Sequence, residues 1–427
     1  MAKPKLALIP AAQGSKFYSV LPSSGVGDFD FTRSGSATRI NSQGLIETVG
    51  NGVSRLNYPL IDGKVVGCPS YLLEPQRSNL ITYSEDFSQG WSPNGGGVTI
   101  NQTISPDGTL NADKLFAQTN NGQHRVDFSS SNASGATTFS FFAKSAEYNS
   151  LWVRIGLTTV YFNLEDVESF NNTTATKSSI NYYGNGWYRC MVTKEISSAN
   201  EVCRINLTES YKDASVWTGD GTSGLYIWGA MHEVGSYPTS YIPTNGSTVT
   251  RSAETANGSG DASTFNDSEG VLMVEIKKFE EIPTSSQYVQ ITDGVASFTN
   301  AVLLQFRNNG DLRIYMGGSA SANIQFIVTD INFTENNKIA IQYDSNNSNY
   351  KLFVNGVSKA RYSLATNQSV AGLSHIDLNY IFTDSQAFGN TKQIQYYNSA
   401  LTDSELETLT SWVSFSDMAN GQLYTIQ

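Results

Sequence analysis

YLLEPQRSNLITYSEDFSQGW, residues 71–91, is the stretch that decides how this chain is organised. A second stretch of the same kind, WGAMHEVGSYPTSYIPTNGSTVTRSAE, spans residues 228–254. Both are too apolar and aromatic for free linkers, and too rich in Pro, Gly, Ser and Thr for helices. We interpret them as ordered seams between β-modules, and they divide the chain into three parts.

Length and composition agree with three β-rich parts. The 427 residues exceed one ordinary domain, since domains hold roughly 100–200 residues. Hydrophobic residues make up 39% and aromatic residues 11%, which is enough for packed cores and argues against disorder. Charged residues, at 15%, fall below the ~25% of typical soluble domains. Ser, Thr, Asn and Gly supply the remaining polarity and suit sheet surfaces and turns, so the expected fold class is all-β.

The three parts differ in the length of their predicted strands. In residues 1–79 the predicted strands are short and interrupted. We therefore expect an N-terminal arm or small β-substructure that docks within the chain or on another subunit. Residues 80–250 hold longer alternating strands, such as ATTFSFFAKS and GWYRCMVTKEI, and are predicted to form a jelly-roll β-sandwich. A linker, 251–268, precedes residues 269–427, where a second strand series predicts another β-sandwich.

Local motifs refine this division. The two ends of the jelly roll, SEDF at 84–87 and YPTSY at 237–241, are expected to be neighbours at one pole. NNGD at 308–311 predicts a hairpin turn between two alternating runs. Thr402 and Glu405 fit a capping box, which predicts one short C-terminal helix. Apolar residues follow the box at helical spacing, namely Leu406, Leu409, Trp412 and Val413.

Charge and hydropathy exclude two classes of partner. The formal net charge is −11 and the only basic cluster is Lys3 and Lys5, so neither nucleic acid nor anionic lipid is an expected partner. No run approaches the ~18 apolar residues of a membrane span, so no membrane insertion is expected. The apolar run in MAKPKLALIPAAQG is too short for a secretory signal, which favours an N-terminal strand or arm and assembly in the cytoplasm; a weak signal region at LALIPAA is the alternative.

The cysteines do not form a recognisable framework. Cys68, Cys190 and Cys203 are odd in number and show no CxxC spacing, so a zinc site or a disulfide scaffold is poorly supported. Cys190 and Cys203 lie in predicted adjacent strands. Buried free thiols are favoured, and a bridge between these two residues remains the alternative.

Several segments resemble known families. One group of segments resembles modules of bacteriophage virion proteins, especially tail-fibre and other surface components. This group consists of the two seams and TRSGSATRINSQGLIE, NGVSRLNYP, SPDGTLNADKL and GWYRC. YKLFVNG and IQYYNSALTDSELETL resemble the concanavalin A-like (laminin-G-like) lectin/glucanase fold, in which a strand ending in NG and a closing strand plus short helix are typical. The resemblances imply a phage structural protein on the virion surface, with a concanavalin A-like domain at 269–427.

The sequence gives little support for catalysis. Concanavalin A-like hydrolases carry a Glu-x-Asp-x-x-Glu pattern, which this chain lacks. Glu280 and Glu281 are adjacent, so on a strand they would point to opposite faces and could not flank one glycosidic bond. His124, His232 and His375 occur in no catalytic motif and are interpreted as structural. We therefore expect a protein that is not an enzyme.

Calcium is a candidate cofactor of the C-terminal part, because lectin-like sandwiches often hold it. Calcium takes several oxygen ligands from carboxylates, carbonyls and amides. Four aspartates at predicted strand ends or turns are the candidate ligands: Asp293, Asp344, Asp377 and Asp384. Polar turns need the same residue types, so no ligand set is assigned.

Glycan binding would need flat aromatic faces for sugar rings, with amides or carboxylates for the hydroxyl groups. Trp217 is the leading candidate because it lies in the polar loop DASVWTGDGTSG. The other aromatic candidates are Trp91, Trp152, Tyr161 and Tyr350. An aromatic residue in a β-sandwich more often packs in the core, and this is the alternative for each of them.

The expected function is that of a non-enzymatic virion surface protein. A tail-fibre or appendage component that contacts host surface polysaccharide is the first interpretation, and a capsid decoration protein or head fibre is the alternative. A polysaccharide depolymerase is the third. Other virion proteins and further copies of this chain, as a trimer in a fibre, are the expected partners. Self-association is expected because Phe17, Phe29 and Phe31 lie in a segment with strands too short to hide them.

Overall fold

The computed structural model describes residues 3–131, 134–171, 173, 176–196, 200–295, 300–317, 323–363, 370–379 and 385–411. Within these residues there are 36 β-strands and one helix, so the predicted all-β fold class is confirmed. No helix in this part of the chain is long and apolar enough to cross a membrane.

The strands are numbered along the chain. The first ten are β1 Leu6–Gln13, β2 Lys16–Leu21, β3 Phe29–Thr32, β4 Ala37–Ile40, β5 Ile46–Val49, β6 Leu56–Asn57, β7 Leu60–Ile61, β8 Lys64–Val65, β9 Ser70–Leu73 and β10 Arg77–Asn79. The next fourteen are β11 Ser92–Asn94, β12 Gly96–Ile104, β13 Leu110–Ala117, β14 Asn121–Gly122, β15 Arg125–Ser131, β16 Gly135–Ser145, β17 Ser150–Ile155, β18 Thr158–Asn163, β19 Glu168–Asn171, β20 Thr176–Gly184, β21 Trp187–Ile196, β22 Asn200–Thr208, β23 Trp217–Thr218 and β24 Gly224–Val234. The last twelve strands and the helix are β25 Val249–Arg251, β26 Thr255–Asn257, β27 Glu269–Lys277, β28 Gln287–Thr292, β29 Ala301–Phe306, β30 Leu312–Gly317, β31 Asn323–Val328, β32 Asn337–Asp344, β33 Asn349–Val354, β34 Val357–Ser363, β35 His375–Asp377, β36 Gly389–Tyr397 and α1 Asp403–Ser411.

The middle of the chain forms a sandwich of two six-stranded antiparallel sheets. The front sheet has the order β11-β15-β22-β17-β18-β19, and the back sheet has the order β12-β13-β24-β16-β21-β20. Alternate residues of both sheets fill one apolar core, as the period of two predicts. Cys190 on β21 and Cys203 on β22 face this core from opposite sheets, and both are buried free thiols. Burial raises the pKa of both thiols.

The two ends of this sandwich meet at one pole, which confirms the neighbourhood predicted from the sequence. The hydroxyl groups of Ser84 and Tyr241 are 2.6 Å apart, and the Ser84 hydroxyl accepts a hydrogen bond from the Thr244 backbone N–H at 2.8 Å. Both side chains are buried there.

The C-terminal sandwich is built from distant parts of the chain. One of its sheets has the path β26-β3-β2-β1-β36-β27-β32-β33-β34, with β9 and β6 attached at β36. The facing sheet has the order β31-β30-β29-β28-β35. Phe17, Phe29 and Phe31 are 0–2% exposed and belong to the core of this sandwich. Strands of residues 1–79 therefore dock within the chain, and short strands of 251–268 take part in sheets as well.

The predicted hairpin and helix are both present. β29 and β30 are joined across the 308–311 turn, where Gly310 has φ +88°. In the capping box, the Glu405 carboxylate accepts the Thr402 N–H at 3.0 Å, and the Thr402 hydroxyl accepts the Glu405 N–H at 3.3 Å. Leu406 and Leu409 of α1 are buried against β27, β32 and β33, whereas Trp412 and Val413 lie outside the described residues.

A buried ionic cluster joins the two seams to the N-terminal part; we call Arg33, Arg55, Glu74, Arg251 and Glu254 the seam cluster. Guanidinium to carboxylate distances are 2.8 Å for Arg33 and Glu254, 2.8 Å for Arg55 and Glu74, and 2.9 Å for Arg251 and Glu74. Arg55 also contacts Glu254 directly. The side chains are 0–3% exposed. Charges this deep are stable only when they are paired, so the cluster fixes how the seams meet.

Candidate functional site

The outer side of the front sheet carries an unusual set of aromatic side chains. Strand alternation sends Leu151 and Val153 of β17 into the core, so Trp152 and Arg154 lie on the outer side. We call this outer surface of β15, β22, β17, β18 and β19 the aromatic face.

One cross-strand row runs across the aromatic face. Arg125 is opposite Asn206, Asn206 is opposite Trp152, Trp152 is opposite Tyr161, and Tyr161 is opposite Phe170. The Tyr161 and Phe170 ring centroids are 6.4 Å apart. The structure therefore brings together two of the aromatic candidates, Trp152 and Tyr161, and adds Phe170, which sequence reasoning missed.

The rings differ in what they offer to a ligand. Phe170 is 41% exposed and Tyr161 is half-buried, whereas Trp152 is only 1% exposed and has the Arg154 guanidinium 5.6 Å from its ring centroid. The Lys212 ammonium lies 4.6 Å from the Phe170 ring centroid and 4.7 Å from that of Tyr211. An exposed ring beside a cation and a second aromatic residue is a surface that can receive a flat, hydroxylated molecule.

Polar groups adjoin the aromatic row. Asn206 is fully buried, and neither atom of its side-chain amide has a hydrogen-bond partner. The neighbouring row holds Asp127, which pairs with Arg125 at 3.1 Å and with Arg204 at 3.3 Å. The aromatic face thus combines stacking surface with partly exposed guanidinium and carboxylate groups.

A separate cavity of about 230 Å³ lies at the pole of the middle sandwich; we call it the pole pocket. It is lined by Tyr83, Glu85, Asp86, Ile100, Asn101, Asn111, Asp113, Thr244 and Asn245. Loops from both seams contribute to it, together with β12 and β13 of the back sheet.

Carboxylates dominate the electrostatics of the pole pocket. Asp113 accepts the backbone N–H groups of Phe87 at 2.8 Å and Asn101 at 3.0 Å. Burial raises the pKa of Asp113 to about 6, although those two hydrogen bonds lower it. The nearby Asp86 and Glu85 carboxylates also raise the pKa. Burial also raises the pKa of Glu85.

The remaining aromatic candidates lie elsewhere. Trp91 and Tyr350 are 5% and 1% exposed, so neither offers an open ring face. Trp217 is half-buried, with its ring centroid 4.5 Å from that of His124 and 6.4 Å from that of Tyr148. Its role in glycan binding stays a prediction.

Three of the aspartates proposed for calcium, Asp293, Asp344 and Asp377, lie in the described part of the chain, and they do not form one ligand set. His375 lies 3.2 Å from Asp377, and this hydrogen bond raises the pKa of His375 against burial, with Asp293 contributing. Asp344 accepts hydrogen bonds from Asn347 and so stabilises a turn, and Asp384 lies outside the described residues. In the described part of the chain no three His, Cys, Asp or Glu residues are placed to hold a metal ion. Calcium binding stays a prediction without a ligand set.

The other two histidines, His124 and His232, also have partners within the protein. The His124 ring is bonded to the Gly95 carbonyl oxygen at 2.5 Å, and the His232 ring is bonded to the Ser130 hydroxyl at 2.6 Å. Burial lowers the pKa of His232 to about 4. These contacts agree with structural roles for both rings.

Comparisons with known proteins give no family. No family model and no curated protein matches the chain. Similar solved structures include the CBM40 module of the Ruminococcus gnavus IT-sialidase bound to α2,3-sialyllactose, at 18% identity and TM-score 0.31 over 36% of this chain and 88% of that one. NanB sialidase from Streptococcus pneumoniae matches at 16% identity and TM-score 0.30, over 34% of this chain and 24% of that one.

A third similar structure is domain 4 of AbnA, an arabinanase from Geobacillus stearothermophilus in complex with arabinotriose, at 15% identity and TM-score 0.29 over 37% of this chain and 73% of that one. Likenesses this remote carry no argument about function. The fold defines a β-sandwich protein.

Proposed function

We propose that this protein binds surface glycans through the aromatic face without cleaving them, as a surface component of a bacteriophage particle. The observation that carries the glycan proposal is the cross-strand row ending in the half-buried Tyr161 and the exposed Phe170. The phage assignment is supported by the resemblance of the seams and surrounding segments to virion modules.

The chemistry of the aromatic face suits a sugar chain. The C–H face of a sugar ring can pack on Phe170, while the partly exposed guanidinium groups of Arg125 and Arg204 can bind hydroxyl groups. A shallow surface of this kind gives weak binding at one site. Several copies on one particle can raise avidity by ~10²–10⁴ without new contacts.

Removing the exposed ring should weaken glycan binding. Phe170→Ala is expected to lower the affinity of the full-length protein for its glycan about twofold to tenfold, since such ring contacts contribute about 0.5–1.5 kcal/mol. The measurement is binding to a glycan array, with the protein displayed at high valency. Tyr18→Ala is the matched control, because Tyr18 is 38% exposed but lies on β2 in the other sandwich. Equal binding by Phe170→Ala and the control would contradict the assignment of the aromatic face.

The protein is expected to release no reducing ends from capsular polysaccharide or lipopolysaccharide. Asp127 on the proposed binding face is already paired with two arginines, and the sequence lacks the Glu-x-Asp-x-x-Glu pattern of concanavalin A-like hydrolases. A reducing-end assay over many hours tests this. Depolymerisation that disappears on substitution of one Asp or Glu residue would establish the depolymerase alternative.

The position of the protein on the particle separates the first interpretation from its alternative. A tail-fibre or appendage component and a capsid decoration protein would use the same glycan-binding face, so immunogold labelling of whole particles is the deciding measurement. Self-association stays a prediction without an assigned surface, because Phe17, Phe29 and Phe31 are buried within their own chain.

A further inference from the structure

The pole pocket is a second, independent feature of the middle sandwich. Its β-strand walls, β12 and β13, belong to the back sheet, whereas the aromatic face is the outer surface of the front sheet. Its volume of about 230 Å³ is below the ~300 Å³ at which pockets for drug-sized ligands begin. A ligand that fits it would have the size of a single sugar ring.

Two buried oxygen atoms of the lining residues lack partners. Thr244 is 6% exposed, and its hydroxyl oxygen is buried with no hydrogen-bond partner. The side-chain carbonyl oxygen of Asn111 is also buried and unpartnered, while its amide nitrogen donates to Glu85 at 3.0 Å. Buried polar atoms are rarely left unsatisfied in folded proteins, so these oxygens favour a ligand that supplies donors.

The charge of the pole pocket has one sign. Glu85, Asp86 and Asp113 line it, and neither lysine nor arginine is among its lining residues. Tyr241 donates a hydrogen bond to Glu85 at 2.9 Å, and its own pKa is raised by burial, so it stays neutral. A cationic donor would relieve the mutual repulsion of the carboxylates, whereas an anionic ligand would add to it.

We propose that the pole pocket binds an amino sugar with a free amine, its ammonium group facing Glu85, Asp86 and Asp113. The hydroxyl groups of the sugar form hydrogen bonds with Thr244, Asn111 and the neighbouring amides of Asn101 and Asn245. Tyr83 borders the sugar ring. The site goes beyond glycan contact by the aromatic face, because it selects a charged monosaccharide unit and uses none of the same residues.

The test compares three monosaccharides of different charge on the full-length protein, by calorimetry and saturation-transfer NMR. Glucosamine hydrochloride is expected to bind, N-acetylglucosamine to bind at least tenfold more weakly, and glucuronic acid not to bind. Charge-assisted hydrogen bonds make up this difference. Comparable affinity for all three sugars, or no binding of glucosamine, would overturn the proposal.

Two variants locate the binding. Thr244→Val removes a buried, unpartnered hydroxyl, so it should not lower thermal stability, yet it should weaken glucosamine binding severalfold. Asp86→Asn should weaken binding about tenfold. Asp213→Asn is the matched control, because Asp213 caps the N–H two residues ahead as Asp86 does but lies in a different loop. Unchanged binding in Thr244→Val and Asp86→Asn would place glucosamine elsewhere and overturn the proposal.

Calcium supplies the contrasting outcome. If calcium ions alone bind in a manner abolished by Asp86→Asn, and glucosamine does not bind, the pocket is a cation site and the amino-sugar proposal fails. Loss of array binding in Phe170→Ala with intact glucosamine binding would show that the two sites are separate. Failure of the aromatic face therefore leaves the pole pocket testable on its own.

Discussion

Replacing Arg55 with methionine is expected to lower the free energy of unfolding by about 3–5 kcal/mol, because it leaves buried carboxylates without their partner. Arg55 is fully buried and contacts both Glu74 and Glu254. Urea denaturation of the full-length chain measures the change. Arg39→Met is the matched control: the Arg39–Glu47 pair has a similar 2.9 Å distance but is 26% and 42% exposed. Exposed pairs contribute about 0–1 kcal/mol, so the control should unfold nearly as the parent does.

The seam cluster also predicts a response to acid. Although burial opposes it, Arg251 and Arg55 hold the pKa of Glu74 at about 2 in the folded protein. In the unfolded chain, the pKa of a glutamate side chain is about 4.3. The stabilisation from Glu74 is therefore present above that value and is lost as the pH falls toward 2. In the urea experiment, equal unfolding midpoints for Arg55→Met and Arg39→Met would show that the seam cluster does not stabilise the protein.

Replacing Lys278 with methionine is expected to stabilise the protein by about 1–3 kcal/mol, the usual penalty of a buried polar group without a partner. Lys278 is 3% exposed, and its amine lies 4.8 Å from the Phe306 ring centroid with no hydrogen-bond partner. Burial holds its pKa well below the ordinary value, with Glu280 opposing. Methionine keeps the volume and removes the polar atom.

The pH dependence of this effect has a defined sign. Because the unfolded chain binds a proton that folded Lys278 gives up, the stability of the parent rises with pH toward the ordinary lysine value of about 10.4. The advantage of Lys278→Met should therefore shrink between pH 7 and pH 10. Lys277→Met is the control, since Lys277 is exposed and a surface change of this kind stays within about 0.5 kcal/mol. An advantage that is absent, or that grows with pH, would contradict a neutral buried amine.

Local chemistry explains which parts of the fold were predictable from sequence. The capping box of Thr402 and Glu405 and the turn at 308–311 depend on neighbours within a few residues, and both were predicted correctly. The sequence also predicts that the seams are ordered, but it does not reveal the buried ion pairs that hold them in place. Glu74 and Glu254 are 180 positions apart, and only the fold brings them to the same arginine.

For the candidate site, the sequence predicts which aromatic residues lie in strands but not which of them are exposed. Alternation in β17 and β18 marks Trp152 and Tyr161 as strand residues, yet a sequence does not say which side of a strand faces the core. Phe170 was missed because it lies in the short, polar strand ESFN. Trp91 and Tyr350 illustrate the converse, since polar flanking loops predict exposure but packing buries both rings.

The pairing of β1 with β36 has a consequence for biosynthesis. Leu6 lies opposite Tyr396, so the C-terminal sandwich can gain its first strand only after almost 400 residues have been made. The middle sandwich draws both of its sheets from residues 92–234 and is complete long before that. Contacts this distant in sequence form slowly. On the ribosome, the part with the proposed binding surfaces is thus expected to mature first, while β1, which can pair with β2 early, waits for β36 on its other edge.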